Sequence, residues 1–99
     1  MKAHRQYVRD QVKRDPRFAK DLEKARAEVR LAVMIARLRE ERGWSQRDLA
    51  RITGMKQPQI ARIEKGEHIP TLATLWRLAD ALNARVVIGP HKHLDVRAA

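Results

Sequence analysis

The chain has 99 residues, with 22 Lys and Arg against 12 Asp and Glu, a formal charge of 22 − 12 = +10. That length suits one domain and excludes an independent second catalytic domain. No apolar run nears the ~18 residues of a membrane span, no basic-then-apolar leader opens the chain, and the lack of Cys excludes disulfides, thiol nucleophiles and thiolate metal sites. A cytoplasmic protein with no membrane partner is expected.

The charge points to a polyanion. A pI near 11.1 is the electrostatic footprint of nucleic-acid binding, because Lys and Arg release phosphate counterions. The four aromatics, Tyr7, Phe18, Trp44 and Trp76, are too scattered for a single-strand stacking platform, which favours duplex DNA.

Residues 1–14 are polar and basic, with Tyr7, Val8 and Val12 as their sizeable apolar side chains. Asp15-Pro16 reads as a helix start, an N-cap carboxylate followed by the residue best suited to the first helical position. Apolar residues then recur at Phe18, Leu22, Ala25, Val29, Val33 and Ala36, steps of three and four that mark one helix face. Carried unbroken to residue 42, such a helix would extend ~40 Å. Gly43 stops it, and Trp44 can fold back on the preceding turn.

Ser45 with Asp48 three residues on is a capping-box variant. It predicts a short helix over residues 46–53 with Leu49 and Ala50 inward, stopped by Gly54. A third helix is predicted over residues 57–65, with Ile60 and Ile63 inward and Pro58 tolerated in the first turn. Gly66 ends it. Thr71 caps a fourth helix carrying Leu72, Leu75, Leu78, Ala79 and Leu82, and Asn83 is a left-handed stop. Residues 85–88, Arg85-Val86-Val87-Ile88, form one β-prone run before Gly89-Pro90. A lone strand cannot satisfy its own backbone groups. With no second strand candidate in the chain, another copy is the expected donor, and residues 91–99 read as a flexible tail.

Two short helices joined by a tight Gly-containing turn suit the helix-turn-helix, whose second helix enters the major groove. Ala50 is small where the helices cross, Gly54 permits the sharp turn, and Leu49, Ile60 and Ile63 make the shared seam.

With Gln46, Leu49, Ala50, Gly54, Ile60, Ile63, Glu64 and Gly66 in place, and TLATLWRLADAL following, residues 31–82 resemble the XRE (Cro/repressor-like) helix-turn-helix family. Lys56 departs from the family, which usually has a capping Ser or Thr there, and Pro58 removes one possible base-reading side chain. The resemblance implies an all-α, lambda repressor-like fold: a compact bundle of about five helices plus one short C-terminal strand that pairs in a dimer. It implies that Gln57, Gln59 and Arg62 face the groove, where Gln pairs bidentately with adenine and Arg with guanine. Gln46 looks like a phosphate contact at a helix N-terminus. Arg47, Lys56, Lys65 and His68 are candidates for backbone contacts, which position without reading; the bland alternative for Arg47 and Lys65 is a solvated charge. Arg39 and Glu64 would form a structural ion pair rather than a DNA contact.

The segment DPRFAKDLEKARAEVRLAVMIARLREERGWSQ, together with the helix-turn-helix and terminal strand, looks like HigA-type antitoxins. These are XRE repressors encoded with a RelE/HigB-like ribonuclease toxin, which they bind, and whose shared operon they repress as dimers. On this reading residues 1–30 form the toxin-binding arm, with Phe18, Leu22 and Val29 as anchors and Tyr7 and Val8 as additions. The alternative is that Phe18 and Leu22 pack intramolecularly. Residues 31–83 form the DNA-binding domain, and residues 84–90, with Arg85, Val86, Val87 and Ile88, the dimerisation strand. Residues 1–30 carry ten Lys and Arg and five Asp and Glu, a net 10 − 5 = +5, which sits badly against a basic toxin.

Catalysis finds little support. The one Ser, Ser45, serves as a cap, Glu40-Glu41 reads as a solvated pair, and His91-Lys92-His93 offers two ligands in a tail. No enzyme activity, metal or cofactor is expected. The expected partners are double-stranded operator DNA, a RelE/HigB-like toxin and a second copy. The rivals are a stand-alone XRE regulator without a toxin, and a protein-interaction module whose helix-turn-helix does not read DNA.

Overall fold

The computed structural model describes residues 16–90 and 93–99. Helix α1 spans Pro16–Glu41, α2 Gln46–Thr53, α3 Gln57–Glu64 and α4 Leu72–Ala81, followed by strands β1 (Ala84–Gly89) and β2 (His93–Ala98). The bundle of about five helices expected from the sequence thus has four among the described residues. The Asp15 cap and the anchors Tyr7 and Val8 lie outside them, as do His91 and Lys92.

The main correction concerns the C-terminus. The strand expected over residues 85–88 does not stand alone, because β2 pairs with it antiparallel, from Ala84 opposite Ala98 to Gly89 opposite His93. The supposed tail carries a period-two pattern, Leu94 and Val96 alternating with Asp95 and Arg97, too short to register beside its charges. Val96 is fully buried, and Leu94 and Val86 pack against the same core. The backbone argument for a second copy at Arg85, Val86, Val87 and Ile88 therefore falls, since β2 supplies the partner strand.

A second correction concerns α1. The helix is unbroken over 26 residues, and the stripe read from the spacing, which supplied the anchors Phe18, Leu22 and Val29, is not the one that enters the core. Ala27, Leu31, Ala32, Ile35 and Leu38 enter the core instead. Residues two apart lie about 200° apart around a helix, so Leu31 and Val29 occupy opposite sides. Val29 and Val33 are accordingly 57% and 46% exposed, while Phe18 and Leu22 are half-buried. The helix is apolar on two faces, of which one enters the core and the other exposes Val29 and Val33.

The core joins Leu31, Ile35 and Leu38 of α1 to Leu49 and Ala50 of α2, Ile60 and Ile63 of α3, Leu75 and Leu78 of α4, and Val96 of β2. Each short helix thus buries its apolar stripe against the others, leaving polar faces outward. Trp44 folds back as expected: its N–H bonds the Arg39 carbonyl at 3.2 Å. Arg42 lies over its ring, 5.6 Å from the centroid, and donates to the Leu82 carbonyl.

Candidate nucleic-acid interface

Local chemistry fixes both ends of α2. Ser45 Oγ accepts from the Asp48 N–H at 3.0 Å, and Asp48 Oδ2 accepts from the Ser45 N–H at 2.8 Å, a complete capping box. The Ser45 backbone N–H, with further help from the Ser45 hydroxyl and Arg51, holds the Asp48 carboxyl below its ordinary pKa. At the far end Gly54 adopts φ +72°, open to Gly at no steric expense. The next N–H, from Met55, then bonds back to the Ala50 carbonyl at 3.0 Å. Thr53 braces this turn: its hydroxyl donates to the Leu49 carbonyl at 2.7 Å and accepts from the Met55 N–H at 3.3 Å.

Lys56 is the N-cap of α3 and makes no side-chain cap bond, as its departure from Ser or Thr implies. Pro58 falls in the first turn, where no intrahelical N–H is required. Ile60 and Ile63 face the core, which turns Pro58, Gln59, Arg62 and Lys65 outward, with Gln57 also exposed. The helix stops at Gly66, φ +73°, whose N–H bonds the Ile63 carbonyl at 3.0 Å. A Cβ at Gly66 would lie in ordinary contact, 3.4 Å from the Glu28 carbonyl oxygen of α1, so it is the left-handed φ that calls for glycine here.

One polar cluster sets the angle of α3. Arg39 Nε and Nη2 donate to the two Glu64 carboxylate oxygens, each at 2.8 Å, and Nη1 donates to the Trp44 carbonyl at 2.7 Å. The side chains are 12% and 5% exposed. Hydrogen bonding to Glu64 raises the Arg39 pKa beyond its ordinary value, so the guanidinium stays charged at every accessible pH. Gln46 Nε2 donates to the same Glu64 Oε1 at 3.2 Å.

The expected site residues therefore divide. Arg47, Lys56, Gln57, Gln59, Arg62 and Lys65 are exposed. Gln46 is half-buried, with its amide donating to Glu64, which leaves the backbone N–H groups at the α2 N-terminus to offer a phosphate. His68 is also half-buried, and its Nδ1 is fully enclosed with no hydrogen-bond partner. Of the expected anchors among the described residues, Val29 is open and Phe18 and Leu22 are partly covered. In β1, Arg85 and Ile88 are exposed while Val86 and Val87 are half-buried. Sequence reasoning missed Glu67, which reaches Arg62 at 3.4 Å. A Glu one residue past a helix-stopping Gly was the available signal. Among the described residues no group of three or more His, Asp or Glu could hold a metal ion, and no helix is long and apolar enough to cross a membrane.

Comparison with known proteins places this arrangement. The profile of the helix-turn-helix family HTH_3 matches residues 35–87, which takes in the C-terminal part of α1, all of α2 to α4 and most of β1. The HTH-type transcriptional regulator SutR of Escherichia coli (strain K12) is 43% identical over 53 residues, covering 54% of this chain and 30% of that protein. Antitoxin HigA1 of Mycobacterium tuberculosis is 36% identical over 80 residues, covering 81% of this chain and 54% of that protein. A crystal structure of an HTH_3 family transcriptional regulator from Vibrio cholerae superposes with a TM-score of 0.60 at 35% identity, over 63% of this chain and 35% of that one. The chain thus spans between about a third and just over half of the length of these relatives. From the profile match and the two-helix geometry together, the chain belongs to the HTH_3 helix-turn-helix family.

Proposed function

We propose that this chain is a dimeric, sequence-specific DNA-binding transcriptional repressor that acts as the antitoxin of a type II module, neutralising a RelE/HigB-like ribonuclease and regulating its own operon. The observation that carries the DNA-binding part is the presentation of α3. Its inner face is locked by Ile60, Ile63 and the Arg39–Glu64 pair, while Gln57, Gln59 and Arg62 are exposed on the outer side. Rigid placement matters because a bidentate base contact tolerates little misalignment. Arg47, Lys56 and Lys65 supply charge for the phosphates on either side.

The antitoxin part rests on two observations. The match to HigA1 runs over 80 residues and so extends well beyond the 53 positions of the helix-turn-helix profile. On the outward stripe of α1, Val29 and Val33 are exposed apolar side chains. An apolar face on a rigid helix is the usual anchor for a protein partner, read at steps of three and four. The net +5 of residues 1–30 requires such contacts to be mainly apolar, with Asp21, Glu23 and Glu28 meeting toxin cations. The stand-alone regulator keeps its place as the second reading, because SutR, described as a transcriptional regulator, matches at 43% identity over 53 residues.

Selection from a randomised duplex pool tests the DNA reading: wild-type chain should enrich a two-fold sequence with half-sites ~34 Å apart. Arg62→Ala should then bind the enriched duplex ~1–3 kcal/mol more weakly and relax one base position. Equal loss on random duplex would contradict base reading. Co-purification with the product of the neighbouring reading frame separates antitoxin from stand-alone regulator. Capture of a ribonuclease that Val29→Asp/Val33→Asp releases supports the first; a chain that never binds that product supports the second.

A further inference from the structure

We infer that Glu67 is a positioning residue for Arg62, aiming its guanidinium at the base edge; the inference rests on the DNA-reading role just proposed. The stop of α3 brings the two residues together twice. With Gly66 in the left-handed region, the Glu67 N–H turns back to the Arg62 carbonyl at 3.5 Å. The Glu67 carboxylate then returns along the helix and accepts from Arg62 Nε at 3.4 Å. Because Gly66 also packs against the α1 backbone at Glu28, the loop that carries Glu67 is fixed to the body of the fold.

The geometry favours reading over mere neutralisation. The carboxylate occupies Nε and leaves both terminal amino groups of Arg62 for another acceptor. Those two groups suit the O6 and N7 pair of guanine. An exposed Arg otherwise carries large rotamer freedom, lost on binding, and an acid that holds one edge removes part of that loss beforehand. Electrostatics supplies the second argument. Glu67 is an exposed acid on a surface of cations, where Arg47, Lys56 and Lys65 have no acidic partner among the described residues. Placed there, it opposes phosphate attraction on every duplex alike, so what it contributes must lie in discrimination.

The expected signature is therefore opposite in sign for affinity and specificity. Base-preference profiles from a randomised duplex pool are compared for wild type, Glu67→Ala, Glu67→Gln, Arg62→Ala and the Arg62→Ala/Glu67→Ala double variant. Glu67→Ala should bind random 20-base-pair duplex more tightly, as should the charge control Glu40→Gln. Glu67→Ala alone should also lower discrimination about two- to fivefold at the single position that Arg62→Ala relaxes, the scale of one exposed ion pair. Glu67→Gln, whose amide oxygen still accepts from Nε, should keep part of that discrimination. In the Arg62→Ala background the Glu67 substitution should change no base preference. Unchanged preference in Glu67→Ala, or loss spread evenly over all positions, overturns the inference. Failure of the wild-type chain to enrich any sequence would instead overturn the DNA-reading role on which it rests, and with it this inference.

Discussion

Arg39, Gln46 and Glu64 come from α1, α2 and α3, and they meet at one carboxylate. A buried charge pair contributes little net stability against an apolar replacement, but removing one partner strands the other without solvent. Glu64→Ala is therefore expected to lower stability by about 3–5 kcal/mol in urea unfolding. A loss below about 1 kcal/mol, the range of exposed pairs, would show that water compensates the guanidinium. Asp48 makes a pH-dependent contribution. Its carboxyl is held below the ordinary value by the Ser45 N–H, so the stabilisation is fully present above the unfolded-state pKa and fades as pH falls through the lower folded one. Wild type should lose its advantage over Asp48→Asn as pH drops from about 5 towards 3. Thermal melting at pH 7, 5 and 3 reads this out, and a constant gap would contradict it.

At the scale of elements, the hairpin supports the core as much as the helices do. Val96 is fully buried beside Leu82 and Leu31 in one cluster. Truncation after Pro90 is expected to cost at least the burial of that side chain, about 1.5–3 kcal/mol, whereas a loose tail could be removed without effect. The helices were legible because their punctuation is local. Ser45 and Asp48 cap through backbone groups three residues apart, and Gly54 and Gly66 sit where the chain must turn left-handed. Strand β2 was not, because two apolar residues among His93, Asp95 and Arg97 give too short a signal. Its burial depends on where α1 and α4 lie. The core-facing stripe of α1 was not legible for a related reason. Both its stripes have helical spacing, and periodicity alone cannot say which one finds a partner.

The described residues together measure 45 × 25 × 21 Å, with α1 long enough, at about 39 Å, to run most of the greatest dimension. One side of that helix packs into the core of the helix-turn-helix, and the other exposes Val29 and Val33. Val29→Asp/Val33→Asp should therefore leave folding within about 0.5 kcal/mol of wild type, while Leu31→Ala, on the opposite side, should cost about 2–5 kcal/mol. Equal losses would mean that the outer stripe packs within the chain. Of the candidate DNA residues, exposure of Gln57, Gln59 and Arg62 followed from the inward Ile60 and Ile63. The inward turn of the Gln46 amide and the reach of Glu67 did not, since each depends on how α3 is stopped and docked.

On the proposed function, α3 enters the major groove. Methylation interference on an enriched duplex tests it most directly, because dimethyl sulfate marks guanine N7 in the major groove and adenine N3 in the minor groove. Interference is expected at guanine N7 in two clusters about one helical turn apart, and should be lost for Arg62→Ala. Interference confined to adenine N3, or none at all on a duplex that binds, would contradict it.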